Sequence, residues 1–218
     1  MNGPYQPLSE DKVLELLGEV GAVITGSHIV YTSGKHGSAY INKDALYPHT
    51  RKTSWVCHEI ARRFEHDNIE VVVAPAVGGV ILSQWVSHHL AVLTGRPILA
   101  VYAEKSEDGA SFVIKRGYDK LIKGKRALVV EDILNTGGSA RKAVDVTRLY
   151  ADVIGVGAIF NRGGVTAHDL GDVPKFEALA KVKLDMWEAM RCPLCLSDIP
   201  INTDVGKGRE YLARHTGK

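Results

Sequence analysis

The sequence lacks the features that would place a chain in a membrane or hold it together by disulfides. No apolar run reaches the roughly 18 residues needed to span a bilayer. Met1 to Lys12 contains no basic segment followed by an apolar stretch, so no secretory signal is expected. Cysteine occurs only three times in 218 residues, an odd count that supports no disulfide framework. Together these absences point to a reducing cytoplasm. A strong charge of either sign is also missing. The 27 Lys and Arg against 25 Asp and Glu leave a formal +2, too little for a broad field attracting nucleic acid.

Several familiar signatures fail on a single residue. Gly155 and Gly157 need a third glycine where Phe160 stands, so the dinucleotide fingerprint is absent. Gly124-Lys125 is followed by Arg126, which excludes a Walker loop. His58-Glu59 meets Arg62 where a zincin helix needs histidine. Cys192-Pro193-Leu194-Cys195 is half of a zinc site with no second pair nearby. A loop with two free thiols is the expectation there; His215 and Cys57 would complete a site only by accident of the fold.

What remains is an ordinary globular composition, 45% apolar and 24% charged, in a chain long enough for one sizeable core. Ser9 to Val20 has helical spacing, with Val13, Leu16, Leu17 and Val20 on one face. Residues 22–32 and 39–42 read as strands, with a polar turn at 33–38, and 49–68 as a helix. From residue 69 the pattern becomes regular: strands at 69–74, 98–103, 125–130, 153–160 and 176–184, and helices at 80–93 and 139–150. This alternation predicts an α/β fold with a doubly wound, mostly parallel sheet. Residues 1–68 and 186–218 fall outside it. They are expected to form a small hood and a tail around a 69–185 core.

The most informative stretch is Leu128 to Ala140. An apolar strand ends in two adjacent carboxylates, Glu131 and Asp132, and a small turn leads into a helix. Such a turn, at the carboxyl end of a parallel strand, aims free N–H groups and the positive end of a helix dipole at an anion. Glu131 and Asp132 would repel that anion. Their partners must be hydroxyls, a metal or a developing positive charge, a combination that an activated ribose 5-phosphate presents.

Val129 to Ser139 resembles the PRPP-binding motif of the type I phosphoribosyltransferases, and within that family the chain is most similar to the orotate phosphoribosyltransferases. The similarity runs through most of the length. Ser33-Gly34-Lys35 with Tyr40-Ile41-Asn42 resembles an early substrate-contacting segment, and Ala74 to Gly79 a second phosphate-side turn. Residues 103–117 resemble a mobile catalytic loop, and Phe160 to Gly164 the arginine segment facing the orotate carboxylate. Even Cys192 to Cys195 with Ile199-Pro200 resembles a tail found in one branch.

The resemblance implies transfer of the phosphoribosyl group from PRPP to orotate by a cytoplasmic homodimer, without nucleic acid or membrane partners. It implies Mg²⁺ as cofactor, held mainly through PRPP and water rather than by a protein metal site. It assigns Lys105, Glu131 and Asp132 to catalysis. PRPP would contact these three and Ile133, Leu134, Asn135, Thr136, Gly137, Gly138, Ser139, Val77 and Gly78. The base would contact Tyr40, Ile41, Asn135 and Arg162. Three positions and one loop depart from the family pattern: Thr32 and Gly78 stand where lysines occur, Asn135 where threonine is common, and the 104–117 loop carries fewer cations. A phosphoribosyltransferase for another base and a PRPP-sensing regulator therefore stay open. The regulator would need a basic face, and only the tail (Lys207, Arg209, Arg214, Lys218) is mildly basic.

Overall fold

A computed structural model describes residues 8–182 and 184–215. Residues 1–7, 183 and 216–218, the last including Lys218 of the basic tail, lie outside the described residues. The elements run α1 (Glu10–Glu19), β1 (Val23–Val30), β2 (His36–Ile41), α2 (Thr50–Arg63), β3 (Val71–Pro75), α3 (Gly79–Thr94), β4 (Leu99–Lys105) and β5 (Phe112–Val113). They continue with α4 (Tyr118–Leu121), β6 (Arg126–Leu134), α5 (Gly138–Arg148), β7 (Asp152–Asn161), β8 (Lys175–Lys181), α6 (Pro193–Leu196) and α7 (Gly208–His215). The described residues divide into two compact units: 8–13 with 47–182, and 14–46 with 184–215. The dividing line falls at Tyr47 rather than at residue 69, because α2 packs on α3, β7 and β8.

The first unit holds the six-stranded sheet, in the order β5-β4-β3-β6-β7-β8. β4, β3, β6, β7 and β8 are mutually parallel, and the short β5 is antiparallel at the edge. Strand order reverses between β3 and β6, the switch point at which ligands bind outside the carboxyl ends of such sheets. Side chains alternate along each strand. Val71, Val73, Ala127 and Val129 face Ala140, Ala143 and Val144 of α5 in one core. On the opposite face Phe64, which closes α2, and Ile60 press on β7. A Cβ added at Gly157 would lie 2.8 Å from Ile60 Cγ2, so the glycine that mimics a dinucleotide fingerprint permits helix–sheet contact.

The α2–α3 face carries buried polar groups. Glu59 is fully buried and accepts hydrogen bonds from Arg62 (2.8 Å), Arg63 (3.4 Å) and the Leu8 amide (3.1 Å). Burial pushes its carboxyl up, but the Arg62 hydrogen bond and Leu8 amide outweigh that and hold it below the ordinary glutamate value. Arg62, which breaks the zincin pattern, is thus the partner of Glu59. His89 sits 2.9 Å from the Ser54 hydroxyl, with its ring against His58 and Trp85. Burial, then His58 and His88, push its pKa down to about 4. Between that value and the ordinary 6.5 the unfolded chain binds the extra proton, so stability must rise with pH. Urea unfolding from pH 7 down to 4.5 should show a loss of stability, of which His89→Gln removes on the order of 2 kcal/mol. A pH-independent midpoint would contradict this assignment.

Two expectations need correction. The strand carrying the carboxylates continues through them to Leu134, because β7 stays paired with it as far as Leu134 opposite Asn161. The 104–117 segment, for which no strand was expected, contains a short hairpin. Glu104 and Lys105 pair with Val113 and Phe112 across β4 and β5, and Ser106, Asp108 and Ser111 close the tip with side-chain and backbone hydrogen bonds. Hairpin registry satisfies the backbone groups that a polar loop would leave to water.

The second unit is built on the β1–β2 antiparallel hairpin, with Val23 opposite Ile41 and Val30 opposite His36. The tail returns to this hairpin: His28 bridges Ile201, and His36 bridges Trp187. Cys192 and Cys195 therefore meet a second pair of ligand-type residues, His28 and His36. Neither His215 nor Cys57 belongs to that group. The basic tail carries acidic partners, with Lys207 2.8 Å from Glu210 and Arg209 3.7 Å from Asp204. Among the described residues no helix is long and apolar enough to cross a membrane.

Candidate functional site

The carboxyl ends of β3, β4, β6 and β7 gather most of the residues singled out in the sequence. β6 overruns its pairing with β3, which stops at Val73 opposite Val129, and continues beside β7 alone. This overrun carries Glu131 and Asp132 past the neighbouring strand toward the switch point. Strand alternation then sends them to opposite faces. Glu131 follows the register of Val129, on the α5 side. It lines a cavity of about 130 Å³ with Ile133, Leu134, Asn135, Thr136, Gly137, Gly138, Ser139 and Ala140. That volume is below the size of a whole small-molecule pocket and suits an anion of a few heavy atoms.

The cavity floor is the start of α5. Gly137, in the left-handed region (φ 76°), precedes the first helical residue Gly138 and brings no side-chain acceptor to the helix start. The Gly138 amide has only the Thr136 hydroxyl, at 3.4 Å, and the helix dipole favours a negative acceptor at this end of α5. Thr136 and Ser139 add hydroxyls at the rim.

Asp132 is buried on the other face, 2% exposed. Tyr47 donates its hydroxyl to Asp132 Oδ2 at 3.1 Å. Burial and then the Asp132 charge push the tyrosine pKa far up, so it stays a proton donor across the physiological range. The Asp132 amide in turn donates to Glu131 Oε1 at 3.1 Å. Each carboxylate is thus oriented by a protein donor. Tyr47 was not anticipated: it lies 85 residues from Asp132 in sequence, and no local pattern marks it.

Arg162 follows β7 beside this loop. Its amide and that of Gly163 both donate to the Leu134 carbonyl, at 2.9 and 3.1 Å. Gly163 passes so near Asn135 that an added Cβ would fall 1.4 Å from the Asn135 carbonyl oxygen. Asn161, part of the arginine segment but given no role of its own there, fixes this crossing: its buried side chain donates to the Val165 carbonyl (2.7 Å) and accepts from the Val165 amide (2.9 Å). The predicted residues Asn135 and Arg162 are therefore brought together.

Val77 and Gly78 occupy the turn after β3, with Val77 85% exposed. Lys105 is the exposed last residue of β4, next to β3 in the sheet. Arg116 reaches back across the hairpin to Glu104 at 2.7 Å and lies over the Tyr102 ring, stiffening the arm that bears Lys105. Tyr40 and Ile41 lie on β2, in the other unit, where Tyr40 is half-buried opposite Ile24 and Ile41 is buried. Those two form part of the hairpin's own structure.

Residues 43–176 match the phosphoribosyl transferase domain model. The chain is 34% identical over 195 residues to the orotate phosphoribosyltransferase of Caldanaerobacter subterraneus subsp. tengcongensis, covering 89% of this chain and 96% of that protein. Among solved structures it is similar to the orotate phosphoribosyltransferase of Aeropyrum pernix, with a TM-score of 0.60 and 25% identity over 78% of this chain and 93% of that one. It also shares its fold with the Mycobacterium tuberculosis enzyme in complex with PRPP, with a TM-score of 0.58 and 20% identity over 79% and 95%. The chain belongs to the phosphoribosyltransferase family, and within it to the orotate phosphoribosyltransferases.

Proposed function

We propose that this protein transfers the 5-phosphoribosyl group of PRPP to orotate, forming orotidine 5′-monophosphate and releasing pyrophosphate, and that it works as a cytoplasmic homodimer. The observation that carries the reading is the cavity at the start of α5, which joins an anion-binding helix terminus to Glu131 at its edge. PRPP is the ligand named for the M. tuberculosis relative, and orotate is the base named for the relatives that span nearly the whole chain.

The chemistry follows from where charge develops. As the bond from C1 to pyrophosphate breaks, the ribose becomes electron-poor; the base nitrogen then bonds to C1 and gives up its proton, which leaves with solvent or pyrophosphate. The 5′-phosphate binds the α5 amides with the Thr136 and Ser139 hydroxyls. Glu131 and Asp132 accept hydrogen bonds from the ribose 2′- and 3′-hydroxyls and place negative charge beside the reacting carbon. Lys105 and the Val77-Gly78 turn take the pyrophosphate. Arg162 offers a planar, two-point partner for the orotate carboxylate, and Asn135 contacts the ring. Such oriented charge, fixed before the reaction begins, is the usual source of the largest rate contribution.

Mg²⁺ fits this donor set in a limited way. Among the described residues the grouping of three or more potential metal ligands lies elsewhere, on His28, His36, Cys192 and Cys195. Glu131 and Asp132 supply at most one or two carboxylates, the arrangement in which Mg²⁺ keeps waters and relies on substrate phosphates. When bound, the ion neutralises pyrophosphate charge.

The test is pyrophosphate release from PRPP and Mg²⁺ with a panel of bases. Turnover with orotate is expected, whereas turnover with hypoxanthine, guanine or adenine alone would overturn the base assignment. PRPP binding without turnover of any base would favour a sensing role.

A further inference from the structure

The second unit contains a cluster that the transfer reaction does not use. His28, His36 and Cys192 are buried, Cys195 is partly so, and their four donor atoms all lie within 4.8 Å of one another. His28 Nε2 is 2.9 Å from His36 Nδ1 and 3.6 Å from both cysteine sulfurs, and Cys195 Sγ is 3.3 Å from His36 Nδ1. A tetrahedral zinc with bonds near 2.3 Å to sulfur and 2.0–2.1 Å to nitrogen has ligand–ligand edges of about 3.3–3.8 Å. The observed spacings bracket that range.

Backbone structure delivers these side chains. The hairpin places His28 on β1 and His36 on β2. The His28 carbonyl accepts from the Asn202 amide at 2.7 Å, and His36 exchanges both backbone hydrogen bonds with Trp187 at 2.8 Å. Cys192 caps α6 and Cys195 lies within it, so their i, i+3 spacing turns both sulfurs to one side. His28 Nδ1 lies 2.7 Å from the Ile199 carbonyl. A carbonyl only accepts, so that nitrogen holds the proton and Nε2 presents its lone pair to the cluster. A backbone carbonyl in this role is the usual support for a metal-bound histidine.

We propose that His28, His36, Cys192 and Cys195 bind one zinc ion in a closed structural site that fastens the tail to the β1–β2 hairpin. Two thiols give up their protons to solvent, and their two negative charges balance the dication, so no net charge is buried. All four coordination positions come from protein, which suits a structural rather than a catalytic ion. The spacing also argues against a two-iron cluster with the same ligand types. There the histidines and cysteines sit on different irons, and their donor atoms would lie farther apart than they do here.

The experiment is elemental analysis of the full-length protein, purified under reducing conditions with zinc in the medium, together with cobalt substitution. About one zinc per chain is expected, and cobalt should give the visible bands of a tetrahedral ion with thiolate-to-cobalt charge transfer in the near ultraviolet. The Cys192→Ser, Cys195→Ser double variant should lose the metal at least tenfold. Zinc below about a tenth per chain would overturn the proposal, as would cobalt bound without thiolate charge transfer, or iron as the resident metal. The cobalt spectrum of the unaltered protein decides the matter even if the double variant does not fold.

Discussion

Replacing Glu131 with Gln and Asp132 with Asn together should lower kcat by about 10²–10³-fold while leaving the fold in place. The two amides keep nearly the same shape and retain an oxygen acceptor. Tyr47 can still donate to position 132, as it does to Asp132 at 3.1 Å, and the amide of residue 132 can still donate to side chain 131. What disappears is negative charge beside a carbon that becomes positive only on the way to the transition state. The loss should therefore fall on kcat more than on the KM for PRPP. Steady-state kinetics alongside thermal unfolding separates the two effects. A double variant that turns over within about threefold of the parent would remove these carboxylates from the mechanism.

Sequence patterns located these carboxylates because the signal is local: an apolar strand, two acids, a small turn and a helix lie in one continuous stretch. The α/β alternation and the parallel sheet were legible for the same reason, since apolar runs and helical spacing repeat within each segment. Strand ends were harder to place. Nothing in Glu131 or Asp132 themselves announces that β6 continues through them; that depends on β7 running alongside to Asn161. β5 is two residues long and exists through its pairing with β4, so the polar segment around Phe112-Val113 hid it. Tyr47 acts through a partner chosen by the fold and has no distinctive neighbourhood in sequence, whereas Asn161 lies inside the arginine segment and only its clamp on Val165 was hidden. The distance problem is greatest for the Cys-x-x-Cys pair. Its histidines lie 159 to 167 residues from Cys195, so half of the constellation could be read and the other half could not.

Two adjacent glycines, indistinguishable in sequence, should respond very differently to alanine. At Gly163 the added methyl would sit 1.4 Å from the Asn135 oxygen and 2.6 Å from its carbonyl carbon. Neither strand can step aside alone, because the amides of Arg162 and Gly163 are both bonded to Leu134 and Asn161 clamps Val165. Gly163→Ala must therefore displace Asn135 from the phosphate loop, or Arg162 from its place beside it, by more than an ångström. A displacement of that size should cost about 10²-fold in kcat/KM. The strain should also lower stability by about 3 kcal/mol. At Gly164 an added Cβ meets nothing within 4 Å, and the cost is the left-handed backbone (φ 67°) alone. Gly164→Ala should lose about 1 kcal/mol and keep its kcat/KM within a few-fold. Measuring kcat/KM and urea midpoints for both variants tests whether the crossing at Asn135 aligns the two halves of the site. Equal losses of activity would mean that the Arg162 turn matters only as a turn, and that its contact with the phosphate loop contributes nothing to the reaction.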